Sequence, residues 1–455
     1  MQAVPQIRTL PYVQLANWIF RPLDYMETNV QRHGDLFFAR WGLFDWVFVQ
    51  HPEALKQILS QDAGDKISAP GEANKILSTL LGDRSITRLD GAKHRQRRKL
   101  IMPPFHGERL QVYGNLIRDI TRSLMAEISV GQPFQARDLA QKITMRVILQ
   151  AVFGLYSGER CQRLEYLLAK RLNMLSSPAA STLVFFPILQ TNLGGWSPGA
   201  TIAKQAQEID ALLYAEIRER RTSQDTDRDD ILSLLLLARD EDGNGLSDAE
   251  LRDELMTLLV AGHETTATAL AWSLYWTHHH SEIGDKIRRE IEAADAQEDA
   301  IALTKLPYLS AVCNETLRIY PVGILTFARQ THQSMDILGY SIPPETMLVG
   351  CIYLLHHRED LYPQSHEFRP KRFLERQYSA FEFMPFGAGA RRCVGAALAM
   401  YELKIVLGTL LTHYELTLAS DRPVLPERRG VTLGMKGGVE MVFGGKRAIT
   451  QSVLV

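Results

Sequence analysis

The chain has 455 residues, with 51 basic against 52 acidic side chains and a formal net charge of −1. That balance excludes the chain-wide basic surface of a dedicated nucleic-acid binder, so no nucleic-acid partner is expected. With 45% apolar and 23% charged residues, the composition is that of a soluble globular protein, long enough to bury a core without a disulfide or metal staple. At about 150 residues per domain the length allows two or three domains, or one large one.

The elements follow from spacing and composition. The stretch before residue 30 is weakly apolar and broken by Asn17, Arg21 and Asp24. It contains no run of 18 or more apolar residues, so neither a signal peptide nor a membrane anchor is expected, and the default compartment is the cytoplasm. Residues 36–40 and 46–50 read as strands joined by a turn containing Gly42. Pro52 opens a short helix over 53–60. Helices are expected at 91–102, 108–128, 136–153, 159–175 and 200–220, and the polar stretch 218–230 reads as a loop between helices. A long helix over 248–279 has Ser247 as its N-cap, and helices at 282–294 and 306–319 follow. Strands are expected at 324–330, 334–337 and 346–350. The segment 363–385 looks irregular, a last helix runs over 394–413, and 414–443 resembles hairpins. No repeat, linker or low-complexity tract divides the chain. These elements describe one large, mainly α domain with small peripheral β-sheets, spanning 1–455.

The four cysteines, Cys161, Cys313, Cys351 and Cys393, lie far apart with no CxxC pair. That argues against a zinc ribbon or disulfide framework and for a reducing compartment. Cys393 stands out in Phe386-Gly387-Ala-Gly389-Ala-Arg391-Arg392-Cys393-Val-Gly395. Gly387 and Gly389 permit φ > 0 and close backbone approach. The following helix turns its free N–H groups toward the sulfur. Together with Arg391 and Arg392 it favours thiolate, the form a metal ligand needs. The residues alone admit two readings, a metal-ligating thiolate or a buried cysteine in a glycine turn.

The stretch resembles, position by position, the FxxGxRxCxG cysteine loop of the cytochromes P-450, the haem-thiolate monooxygenases. The resemblance implies haem b with Cys393 as axial iron ligand, Phe386 packed beside the sulfur, Gly387 and Gly395 shaping the loop, and Arg391 at a haem propionate. Thiolate ligation favours O–O cleavage, so O2 is the implied co-substrate.

Three further constellations occur in the same family order. In the long helix, Ala261-Gly262-His263-Glu264-Thr265-Thr266 combines a poor helix former with hydroxyls that bond back to the preceding turn. A locally opened helix with room for a small ligand is expected there. His263-Glu264 is half of a zinc-protease HExxH motif, but Ala267 occupies the place of the second histidine. The stretch is similar to the family's [A/G]Gx[D/E]T[T/S] pattern. That similarity assigns Thr265 to dioxygen activation, Glu264 to proton delivery, and Ala261 and Gly262 to the groove over the haem. Glu315 and Arg318, three apart on a helix, can pair, as many surface residues do. The family's ExxR pair bonds to a later arginine, which makes Glu315, Arg318 and Arg372 a structural triad holding the cysteine loop. His94 and Arg98, i and i+4 on an early basic helix, match residues that reach the propionates, as does Arg329.

The resemblance covers essentially the whole chain. It implies a soluble bacterial-type enzyme without transmembrane helix or fused reductase, fed by a separate ferredoxin or flavodoxin and its NAD(P)H reductase. Lys93, Arg95, Arg97, Lys99, Lys371 and Arg392 form a candidate basic face for an acidic partner. Residues 172–196 are apolar and suit a substrate lid, a membrane-touching patch or a packed connector. The run His278-His279-His280 ends a helix in solvent. By family analogy the pocket is lined around 67–81, 172–186, 255–265, 322–327 and 432–435. These segments are mostly aliphatic and bring in no fixed charge, so a fatty acid, terpenoid or steroid-like substrate is expected, taken by a monomeric enzyme. A haem-thiolate peroxygenase or isomerase, or a non-catalytic haem-binding protein, is the alternative. Neither needs Glu264 with Thr265.

Overall fold

The computed structural model describes residues 2–42, 45–107, 109–155, 157–175, 198–223 and 228–448. Its N-terminal part contains two helices that the sequence reading left unassigned. After β1 (Gln2–Ala3) come α1 (Pro11–Phe20) and α2 (Pro22–His33), each opened by a proline in the first turn, where the missing N–H costs nothing. Each buries a helical stripe, Gln14, Leu15, Trp18 and Ile19 in one and Tyr25, Met26 and Asn29 in the other. Those stripes pack on the hairpin of β2 (Leu36–Arg40) and β3 (Asp45–Val49). There Trp18 stacks on Trp41 at 5.2 Å and meets Phe48 edge-on at 5.7 Å.

The chain continues through α3 (Pro52–Leu59), β4 (Ile67–Ser68), α4 (Ser78–Leu81), α5 (Gly91–Ile101), α6 (Arg109–Ala126), β5 (Pro133–Gln135), α7 (Ala136–Phe153), α8 (Glu159–Leu175), α9 (Pro198–Thr222) and α10 (Ile231–Leu237). Gly154 ends α7 in the left-handed conformation (φ 60°), a position glycine takes without strain. The long α11 (Asp248–His279) begins with a capping box in which Ser247 and Glu250 satisfy each other's backbone N–H groups, as its N-cap residue suggested. It is buried on nearly all sides and packs extensively on α7. It remains one unbroken helix through Gly262, so the expected local opening does not occur. Instead, a Cβ at Gly262 would come within 2.9 Å of the Ile148 Cδ1 atom of α7. Glycine there allows two core helices to approach.

Then follow α12 (Ser281–Ala293), α13 (Ala300–Leu303), α14 (Pro307–Ile319), β6 (Arg329–Thr331), β7 (Met335–Ile337), β8 (Tyr340–Ile342), β9 (Met347–Gly350), α15 (Ile352–His356), α16 (Arg372–Glu375), α17 (Ala396–His413), β10 (Tyr414–Leu418), β11 (Pro426–Arg429), β12 (Thr432–Met435) and β13 (Glu440–Lys446). The strand expected over 324–330 shrinks to Arg329–Thr331, because Leu325 makes only a single bridge, to Cys351. The largest sheet has the order β2-β3-β9-β6-β4, with only β3 and β9 parallel. Smaller sheets are β1-β8-β7, β10-β13-β5 and the hairpin β11-β12. One hydrophobic core joins α6, α7, α11, α14 and α17, and two others flank the five-stranded sheet. The architecture is mainly α with small peripheral sheets. Among the described residues no helix is long and apolar enough to cross a membrane. The expected lid lies largely outside the described residues. Its first part ends α8, where Leu172 is buried.

Candidate active site: a cysteine loop under a core helix

The cysteine loop is held from three directions. Gly387 (φ 66°) and Gly389 (φ 73°) both adopt the left-handed region. At Gly389 a Cβ would lie 2.2 Å from Asp62 Oδ2 and 2.5 Å from the Leu59 carbonyl, so only glycine fits. Asp62 accepts from the Ala390 amide at 3.0 Å and from Arg329 Nε at 2.7 Å. Arg329 is buried and donates further to the carbonyls of Phe327 and Ala388. Asp62 thus ties the expected propionate arginine to the loop, and nothing in its local sequence distinguished it from an ordinary turn aspartate.

The second support is the triad, now fully assembled. Glu315 and Arg318 are completely buried. Arg318 reaches Glu315 by Nε at 2.7 Å and Nη2 at 2.8 Å, while Arg372, on α16, adds Nε at 3.2 Å. Arg318 also donates to the carbonyls of His356, Ser365 and Glu367. The ring of His356 then accepts from the Met384 amide at 3.0 Å, and the Met384 carbonyl accepts from Gly387 at 2.9 Å. Burial next to Arg318 keeps His356 neutral, its pKa well below the usual value, which leaves Nε2 free to accept. His356 is the link between triad and loop that sequence reasoning missed. The third support is local, as the Cys393 amide donates to the Phe386 carbonyl at 2.9 Å and Phe386 packs against the core.

Of the four cysteines only Cys393 is exposed. It lies deep nonetheless, since protein atoms around it desolvate the thiol and push its pKa up, against the Gly395 amide, Arg98 and Arg392, which pull it down. Burial is the largest of these effects, and the amide and the two arginines oppose it. Arg391 contributes nothing there because it turns away, to the carbonyls of Ala69, Ile86 and Leu89 and to Asp90.

Arg98, Arg329 and Arg391 gather around His94. Arg98 donates to the Arg392 carbonyl at 2.6 Å. His94 is held neutral, pushed down to about 4 by burial and by Arg391, Arg98 and Arg329. Burial likewise lowers Arg391 to about 10. These four side chains suit a dianionic group. Haem, whose iron can take a thiolate and which carries two carboxylates, would fit that set together with Cys393.

Along α11 burial is interrupted at the expected motif, where Ala261 is exposed and Val260, Gly262, Glu264 and Thr265 are half-buried, while residues 251–257 and 266–275 are buried. The Thr265 hydroxyl donates to the Ala261 carbonyl at 2.5 Å. Glu264 is held by Arg137 at 2.6 Å and Gln141 at 2.8 Å, both from α7. His263 is buried against Thr144, at 2.8 Å, and desolvation lowers it to about 4. Two surface expectations change. Arg97 leaves the basic face, being buried in ion pairs with Glu250 and Glu254, whereas Lys93, Arg95, Lys99, Lys371 and Arg392 stay exposed. The histidine run is partly packed, with His278 bonded to the Leu274 carbonyl and His280 stacked on Trp276.

Known proteins place this arrangement. The family profile described as Cytochrome P450 matches residues 5–439. The Mycobacterium bovis protein named cytochrome P450 135B1 is 35% identical over 91% of this chain and 86% of its own length. Cytochrome P450 137 of Mycobacterium tuberculosis is 35% identical over 82% and 75%. In fold, the chain superimposes on a retinoic acid-bound cyanobacterial CYP120A1 with a TM-score of 0.83 and 23% identity, covering 98% and 100% of the two chains. The chain therefore belongs to the cytochrome P450 family of haem-dependent monooxygenases.

Proposed function

We propose that this chain is a single catalytic unit, monomeric and cytoplasmic, that inserts one atom of O2 into a lipophilic substrate. The reaction is hydroxylation or epoxidation of a fatty acid, terpenoid or steroid-like compound. Electrons come from a separate ferredoxin or flavodoxin and its NAD(P)H reductase. The observation that carries the reading is the accessible Cys393 sulfur, deep in the fold, together with the window of accessible surface that α11 opens at Ala261–Thr265.

Haem b, ligated by Cys393 with its carboxylates among His94, Arg98, Arg329 and Arg391, would supply the oxygen-activating chemistry. The chain's own residues manage protons and orientation. Turning the Thr265 hydroxyl away from the Ala261 carbonyl frees a donor on the accessible side of α11. Glu264 can carry a proton toward it only by leaving Arg137 and Gln141, so that ion pair acts as a gate. Lys93, Arg95, Lys371 and Arg392 offer exposed positive charge to an acidic electron donor. The aliphatic character of the expected pocket supports a greasy substrate, as does the retinoic acid held by the structural neighbour.

The test compares product formation driven by NADPH and a reductase system with formation driven by peroxide. Reductase-dependent product is expected. Product from peroxide alone would replace the reading with a peroxygenase, and no product from either, with haem bound normally, would replace it with a non-catalytic haem binder.

A further inference from the structure

Helix α5 buries one cation and shows others to solvent. Arg97 is sealed in ion pairs with Glu250 and Glu254, while Arg95 and Lys99 are exposed. Those two are four residues apart, so they share a face of the helix, about 5–6 Å apart at Cβ. Arg98, the residue before Lys99, donates to the Arg392 carbonyl at 2.6 Å, which sets the end of the cysteine loop beside this face.

The exposed cations have different neighbours. Among the described residues Arg95 and Arg392 form no ion pair. Lys99 instead donates to Glu241 at 2.8 Å. Glu241 belongs to the turn 239–245 that precedes α11. The turn is folded on itself, with Asp240 Oδ1 accepting from the amides of Asp242 at 3.0 Å and Asn244 at 2.7 Å. The other oxygen, Oδ2, accepts from Gln96 Nε2 of α5 at 2.9 Å. Two adjacent carboxylates thus pin the turn to α5. Asp242 follows, exposed, and the nearby Arg239 is turned to the carbonyls of Leu236 and Ala238. Three carboxylates against Lys99 and Arg239 leave this edge of α5 net negative.

We propose that the turn 239–245 is the acidic edge of the docking surface for the electron donor, an inference that rests on the partner reading above. Glu241 neutralises Lys99, and the edge confines an acidic donor to the side of α5 that holds Arg95 and Arg392. Arg95 and Lys99 stand within the Debye length of about 8 Å at physiological salt, so the donor's carboxylates sense both the bare cation and the carboxylates beside the paired one. Like charges across a contact disfavour that orientation. The partner is therefore a one-electron carrier protein with a compact acidic patch, seated off the axis of α5 toward Arg392 and the cysteine loop.

The test follows reduction of the haem-loaded protein under carbon monoxide by an iron–sulfur ferredoxin of strongly acidic surface. One electron passes from the reduced cluster to the haem iron, and the second-order rate constant is read by stopped flow at low and high salt. At low salt Arg95→Gln should lower it about threefold or more, and Lys99→Gln should change it by less than about 1.5-fold. Glu241→Gln with Asp242→Asn should raise it about twofold or more. In that background Lys99→Gln should become costly, because the two sites are coupled. At about 0.5 M salt the differences should disappear. Equal losses in Arg95→Gln and Lys99→Gln, or a rate that the neutralised turn leaves unchanged or lowers, would overturn the acidic edge while the basic face stood. A rate indifferent to both Arg95→Gln and Arg392→Gln would remove the basic face itself, and the edge with it.

Discussion

Replacing Glu315 probes how the cysteine loop is held. Its carboxylate accepts from Arg318 twice, from Arg372, and from the Arg369 amide at 2.7 Å. Removing one partner of a buried ion pair leaves an uncompensated charge and typically costs about 3–5 kcal/mol, so Glu315→Ala should lose about that much. An apolar double replacement, Glu315→Leu with Arg318→Met, removes both charges and in an isolated buried pair is often neutral. Here it should not recover stability, because the carbonyls of His356, Ser365 and Glu367 also lose their donor, and each buried acceptor left unsatisfied costs about 1–3 kcal/mol. The assay is urea unfolding of the single and double variants, with haem content measured in parallel. Both should unfold at lower urea, and both should retain less haem. A double variant as stable and as haem-loaded as the parent would refute the account, since the pair would then be a local ion pair and not the support of the loop.

Thr265→Ala should keep haem and substrate binding while diverting electrons to peroxide or water, measured as NADPH consumed per product formed; unchanged coupling would remove Thr265 from the mechanism. The buried His263 should make stability fall with acid. Unfolded histidine takes up its proton near pH 6.5 and the folded ring near 4, so the stability it contributes is present above 6.5 and is lost as the pH drops toward 4, by up to about 1.4 kcal/mol per pH unit. His263→Asn should reduce the slope of the urea midpoint between pH 6.5 and 4.5, leaving the share of the other buried histidines such as His94 and His356, and an unaltered slope would assign the acid sensitivity entirely to those groups.

Much of this site was legible because its chemistry is local. The cysteine loop needs its glycines, cysteine and arginines within ten residues, and the triad needs Glu315 and Arg318 one helical turn apart. Helices with strong caps and long stripes were legible for the same reason, as at Ser247. What escaped depends on residues far apart in the chain. Asp62 meets Arg329 and Ala390 only after folding, Arg137 meets Glu264 across two helices, and His356 acquires its role from Arg318 and Met384 together. The N-terminal helices were missed because their stripes mix Gln14 and Asn29 with apolar residues, although Pro11 and Pro22 marked both starts. Gly262 was misread for want of its neighbour, because only Ile148 explains why the helix needs no side chain there.

The central claim is that Cys393 supplies the thiolate ligand in a haem site framed by α11 and the glycine loop. Its most direct test is the absorption spectrum of the reduced carbon-monoxide complex of Cys393→Ala beside that of the parent protein. The account predicts a thiolate-type band in the parent and its complete loss in the variant. The same band in both proteins would contradict it.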